Sequence, residues 1–287
     1  MKIKFFRWYG GKIRLVETLK LLIPEHVEYV EPFAGSAALL LNHSRSREEV
    51  INDKDADVAF LLQTMADHEK GSKLEERLCS LQYDRSVFEA AVEARRRQYS
   101  GMNDIEKATM IFITITQSFN CTRKTFSEKA FAGTRAYQRD IRFHIPNVYR
   151  RLQGVRVQNR DGIELLQEIS DNPDAFAFVD PPYRWELRGA GADRAYACEM
   201  PQWEHVRLLE TVQDAKCKVM LCGYRSETGA DLYDIYLKPY GWKCYKVGEY
   251  AKSCQVKKKH RDMGHEFIWV NYELPVVAKY ISGMKEY

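Results

Sequence analysis

Val27-Glu28-Tyr29-Val30-Glu31-Pro32-Phe33-Ala34-Gly35-Ser36-Ala37-Ala38-Leu39-Leu40-Leu41 is the stretch on which the fold turns. Its first seven residues read as a short apolar strand ending in a turn. Ala34–Ala38 is small and tight, and Ala38–Leu41 opens an apolar helix. Glu49-Val50-Ile51-Asn52 then reads as a second strand, closed by Asp53. Strand, small-residue turn, helix, strand, acid: this is the first half of a dinucleotide- or nucleoside-binding α/β unit. The acid falls 18 residues after Gly35, near the roughly 20 that place a carboxylate on a ribose. The glycine alone is a weak signal, and the strand before it and the acid after it give it weight.

Moving outward, Val155–Asn159 reads as a strand, Asp161-Gly162 as a turn and Ile163–Ile169 as a helix. Ala175–Val179 is a buried strand that runs into Asp180-Pro181-Pro182-Tyr183. Two prolines cannot continue a ladder, so the chain leaves the sheet there. Asp180 and Tyr183 thereby stand at a carboxyl edge, where open α/β sheets hold ligands. Cys217–Tyr224 and Glu266–Tyr272 read as further strands. Between the two α/β stretches, Leu61–Met65, Leu74–Leu81, Phe88–Tyr99 and Ile105–Gln117 have helical spacing and no alternation with strands. A crossover between strands needs only about 30 residues, so this segment is an insertion with its own task.

The 287 residues are 45% hydrophobic and 29% charged, which excludes disorder and collagen-like repeats. No apolar run nears the roughly 18 residues of a membrane span, and the N-terminus lacks a signal-peptide core. Seven cysteines sit singly, without metal-ligand spacing. They imply reduced thiols in a cytoplasmic protein and no metal. The net charge of +4 is unevenly spread: Cys121–Arg151 carries eight basic residues against two acidic, a surplus of six. A second cluster, Lys257–Arg261, lies near the C-terminus. Local basic charge beside a nucleoside-type motif points to a polyanionic partner.

Asp180-Pro181-Pro182-Tyr183 carries the strongest chemical signal, since composition alone produces it in about one such chain in a thousand. An exocyclic amine on a planar base is a poor nucleophile because its lone pair is delocalised into the ring. Hydrogen bonds accepted by a carboxylate and a rigid carbonyl localise that pair, and a tyrosine ring offers a face for stacking. Positioning and electrostatics then carry the catalysis.

With those residues in view, the chain resembles the Dam-type DNA adenine methyltransferases. Trp8-Tyr9-Gly10-Gly11-Lys12, Glu31-Pro32-Phe33-Ala34-Gly35, Asn52-Asp53, Asp180–Tyr183, Gly223-Tyr224 and Glu266-x-x-Trp269-x-Asn271-Tyr272 carry the likeness, in order and spacing. The resemblance implies a Rossmann-like methyltransferase core of residues 1–60 and 152–287. A mostly helical target-recognition module, 61–151, would be inserted in it. It implies S-adenosylmethionine as methyl donor, held by Trp8, Lys12, Gly35, Asp53 and Asp180. Catalysis would fall to Asp180, Pro181 and Tyr183. Asp161 is open to two readings, a partner for the cofactor's adenine amine or a helix N-cap. Arg123, Lys124, Arg135 and Arg139 are candidates for contact with double-stranded DNA, chiefly with phosphates.

Two departures from the family pattern stand out. Ala37 occupies the place of a second glycine, and Ser118-Phe119-Asn120 keeps only a trace of the hairpin that reads GATC. The target sequence therefore does not transfer. The expected activity is methylation of a flipped-out adenine in duplex DNA by a monomer. A companion restriction enzyme is left open. The tetrapeptide by itself also allows cytosine amine or RNA as substrate, and a decayed DNA-binding relic is the non-enzymatic alternative.

Overall fold

Ala175-Phe176-Ala177-Phe178-Val179 is buried at every position, the burial expected of a parallel strand covered on both faces. The computed structural model describes residues 2–188, 196–226, 230–251, 263–281 and 283–287. The chain divides into two compact units. The first comprises Met1–Ile13, Gly35–Asn42 and Asp55–Asn159. The second comprises Arg14–Ala34, His43–Lys54 and Arg160–Tyr287. Residues 61–151 lie wholly within the first unit, which also takes in the N-terminal residues and the tip of the loop after the first strand.

Strands along the chain are β1 (Glu28–Glu31), β2 (Glu48–Asn52), β3 (Arg156–Gln158), β4 (Ala175–Val179), β5 (Lys218–Gly223), β6 (Lys243–Ala251), β7 (Met263–Val270) and β8 (Lys285–Glu286). Helices are α1 (Val16–Leu19), α2 (Ala56–Ala66), α3 (His68–Cys79), α4 (Arg85–Arg96), α5 (Asp104–Thr116), α6 (Thr134–Leu152), α7 (Gly162–Ile169), α8 (Gln202–Val212) and α9 (Leu232–Leu237).

In the second unit the strands follow the order β2-β1-β4-β5-β7-β6-β8. β1 pairs in parallel with β2 and β4, and β4 with β5, whereas β7 and β6 join antiparallel. The chain steps from β1 to β2 on one side and returns to β4 on the other. This leaves a topological switch point between β1 and β4, where ligands of open α/β sheets bind. Val30, Ile163, Leu166, Ala177, Leu208, Val219 and Trp269 share one apolar core beneath that edge. The architecture is mixed α/β around a mostly parallel centre.

The helices of the first unit start on side-chain caps. Asp55, Asp67, Asp84 and Asn103 each accept from amides in the first turn of α2 to α5. α6, not anticipated from the sequence, runs for 19 residues despite Pro146. It buries Tyr137, Ile141, Ile145, Val148 and Leu152 on one face and exposes Arg135, Arg139, Arg142 and Arg150 on the other. Among the described residues no helix is long and apolar enough to cross a membrane.

The helix expected from Ala38 does not form; the segment is a series of turns with one 3-10 turn at Leu40–Asn42. Gly35 and Ala37 both sit at φ +51, which a right-handed helix excludes. The Asn42 amide ties the end of the loop back to the carbonyls of Ala38 at 2.9 Å and Ile3 at 2.7 Å. Ala37 is fully buried and holds a left-handed conformation that costs an L-residue about 1 kcal/mol. Ala37→Gly is therefore expected to stabilise the protein by about 1 kcal/mol, read as a higher denaturant midpoint with an unchanged slope.

Candidate active site

At the end of β4 the chain turns out of the sheet. Asp180 is half-buried, while Pro181 and Tyr183 are buried. The Tyr183 hydroxyl donates to Glu266 Oε2 on β7 at 2.7 Å. Its ring meets that of Tyr224 with centroids 4.8 Å apart and planes at 72°. Burial, then the Glu266 and Asp180 carboxylates, push the phenol well above its ordinary pKa. It stays protonated and remains a donor. Behind it, Arg188 Nε donates to the Tyr183 carbonyl, and Arg184 pairs with the fully enclosed Asp231. Glu266 stands in a motif that the sequence shows, but its bond to Tyr183 is made by the fold, and Arg188 carries no motif signal at all.

The neighbouring strand ends are tied by one side chain. Asn52, fully buried, donates to the carbonyls of Pro32 at 2.9 Å and Arg160 at 3.0 Å and accepts from the Arg160 amide at 2.9 Å. Asp53 follows it, half-buried at the carboxyl end of β2. A polar residue closing an apolar strand was the available signal for Asn52. Gly162 explains the close approach of α7: a Cβ there would lie 2.6 Å from the Pro32 carbonyl oxygen and 3.1 Å from the Phe33 ring. Asp161 takes the N-cap reading in the structure. Its Oδ1 accepts from the Ile163 amide at 2.8 Å, and Oδ2 accepts from Arg207 at 3.2 Å. Burial disfavours its charge, but the Ile163 amide, Arg207 and Lys54 outweigh it and hold the carboxyl below the ordinary value.

The first unit brings together Trp8, Lys12 and Gly35. Gly35 has a positive φ, and a Cβ on it would lie 2.7 Å from the Trp8 indole. Lys12 is buried, with Nζ donating to the Gly10 carbonyl at 2.9 Å. Trp8, Lys12 and Gly35 belong to the first unit, and Asp53, Asp161, Asp180 and Tyr183 to the second.

Of the four residues expected to face DNA, one is placed otherwise. Arg123 is only 5% exposed. Its guanidinium bonds Asp55 and reaches Asp57 at 3.2 Å, over the Trp8 ring at 5.4 Å. Two carboxylates and an indole have drawn it inside, so it is not a phosphate contact on the surface. Lys124, Arg135 and Arg139 are exposed. The two acids of that segment are engaged elsewhere, Glu128 with Arg85 and Asp140 with Lys4. The Lys257–Arg261 cluster lies outside the described residues.

Among known proteins, the Type II methyltransferase M1.LlaDCHI of Lactococcus lactis subsp. cremoris is 25% identical over 245 residues, which covers 80% of this chain and 84% of the relative. Protein LPL1258 of Legionella pneumophila, a solved structure, overlaps 94% of this chain and 87% of its own. Its TM-score is 0.32 at 10% identity, too slight a likeness to bear on function. Residues 8–236 match the family of D12 class N6 adenine-specific DNA methyltransferases, and the chain belongs to that family.

Proposed function

We propose that this protein transfers a methyl group to the exocyclic amine of an adenine flipped out of duplex DNA. The observation that carries the reading is Asp180-Pro181-Pro182-Tyr183 standing at the carboxyl end of β4, beside the switch point between β1 and β4. The Asp180 carboxylate and the Pro181 carbonyl accept the two amine hydrogens and localise the nitrogen lone pair. Tyr183 supplies the ring on which the base stacks. The amine attacks in line, and its surplus proton leaves once nitrogen carries the methyl, so no strong base is needed.

Methyltransferases of this family use S-adenosylmethionine, whose sulfonium supplies the methyl group. The residues present suit it. Lys12 offers an ammonium for a carboxylate, Asp53 and Asp180 offer carboxylates, Trp8 an aromatic ring, and Gly35 a backbone without a side chain. Asp161 contributes indirectly, by capping α7 beside this edge. Asp53→Ala is expected to weaken cofactor binding about tenfold to a hundredfold while leaving DNA affinity unchanged. Calorimetric titration checks this.

For DNA, the proposal places the exposed face of α6 and Lys124 against phosphates, as part of a target-recognition module built from residues 61–151. Arg135, Arg139, Arg142 and Arg150 recur at helical spacing, and the acids nearest in sequence are paired elsewhere. Reversing the charge of Arg135 and Arg139 together is expected to weaken DNA binding and flatten its salt dependence by up to about two in slope. Cofactor affinity should not move. An unchanged slope would transfer the DNA surface to another part of the chain. The relative's name raises a companion restriction enzyme for this chain too. Transfer of labelled methyl groups to mixed-sequence DNA, with RNA and adenine-free DNA as controls, tests the reaction. Label in RNA alone, or in adenine-free DNA, would refute it.

A further inference from the structure

We infer that Glu266 is a positioning residue for methyl transfer, holding the Tyr183 ring in the plane on which the target base stacks. The inference rests on reading Asp180–Tyr183 as the transfer site.

Tyr183 follows two prolines on a segment that has left the sheet, so the β-ladder no longer fixes its side chain. Contacts with the sheet restore the constraint. Its hydroxyl donates to Glu266 Oε2 at 2.7 Å, and its ring packs edge-on with Tyr224 at 4.8 Å. One partner lies on β7 and the other directly beyond β5, its antiparallel neighbour. Gly223 of β5 pairs with Phe267 of β7, so Tyr224 follows one member of that pair and Glu266 precedes the other. The ring is thereby referred to the sheet. The buried phenol also needs an acceptor, because a desolvated hydroxyl without one is costly. With Glu266 removed, the hydroxyl would seek another partner and the ring would rotate with it. A stacking surface works only within about 10–20° of its productive orientation, and a displacement of about 1 Å near reacting atoms costs up to about a hundredfold in rate.

The test uses the full chain, labelled S-adenosylmethionine and mixed-sequence duplex DNA. Glu266→Leu is expected to lower kcat about tenfold to a hundredfold, with cofactor affinity and KM for DNA little changed. Glu266→Gln, whose amide oxygen still accepts from the phenol, should recover most of the rate. Tyr183→Phe should show a loss similar to that of Glu266→Leu, and the double variant should be no slower than either single one, since both remove the same bond. Additive losses, or a Glu266→Leu enzyme at full rate, would overturn the inference. Should Glu266→Leu fail to fold, Tyr183→Phe decides alone, and a wild-type kcat there has the same force. Asp180→Ala run in parallel separates the two layers. If it is active, the transfer-site reading falls. If it is inactive while Glu266→Leu is at full rate, only the positioning role falls.

Discussion

Asp180→Ala will lower methyl transfer about a hundredfold to a thousandfold and leave the protein folded. Asp180 is the first residue beyond β4 and is half-buried, whereas Val179 before it is part of the core. Its side chain fills no cavity in the apolar cluster, so truncation creates none. What is lost, on the proposed mechanism, is an acceptor for the amine. Removing one preoriented partner of this kind costs about 2.7–4 kcal/mol in the barrier. The check is single-turnover transfer at saturating cofactor, with a thermal melt of the same sample. A near wild-type rate would remove Asp180 from the active site and take the proposed mechanism with it.

Asp55→Ala is the substitution expected to harm the fold most, by about 3–5 kcal/mol. The Asp55 carboxylate caps α2 through the amides of Asp57 at 3.0 Å and Val58 at 3.3 Å, a cap worth about 1 kcal/mol. The same group receives the guanidinium of Arg123, whose side chain is 4% exposed. Removing one partner of a buried pair leaves a charge without its solvation, which is the expensive way to break it. Asp57 remains within reach of Arg123 but is shared with Arg95 at 2.8 Å. Equilibrium unfolding in urea measures the loss. Arg135→Ala is the control: an exposed arginine on α6 whose removal should leave stability within about 0.5 kcal/mol. Equal effects from the two variants would mean that the Arg123–Asp55 pair contributes little.

That contrast marks the limit of what could be read in advance. β1, β2, β4 and β5 were legible because each is a short apolar run ended by a turn residue, and Asp180–Tyr183 was legible because its composition is rare. Arg123 was not, because an arginine in a basic stretch looks the same whether water or two aspartates surround it. The partners lie more than sixty residues away in sequence. β6 escaped for a different reason. Cys244 and Val247 are buried three residues apart, and a register shift between Lys246 and Gly248 breaks the two-residue alternation by which a strand is recognised. α6 was masked by Pro146 and by its own charge. The helix predicted at Ala38 failed because two left-handed residues, Gly35 and Ala37 on either side of Ser36, set a loop of turns that outweighs the propensity of three leucines.

The pairing of β1 with β4 also governs how the protein comes to be made. Glu28 joins Ala175 across the whole helical segment, so the sheet cannot be completed until most of the chain has left the ribosome. β1 finds β2 early, after a short loop. Its other edge then waits with unpaired amides and carbonyls while α2 to α6 are synthesised. Contacts so distant in sequence slow the search for the native state, and an open strand edge invites pairing with other chains in the meantime. The helices between the strands contact one another locally and can form during that interval. Maturation is thus paced by the arrival of one buried strand, the same one that delivers Asp180 to the edge of the sheet.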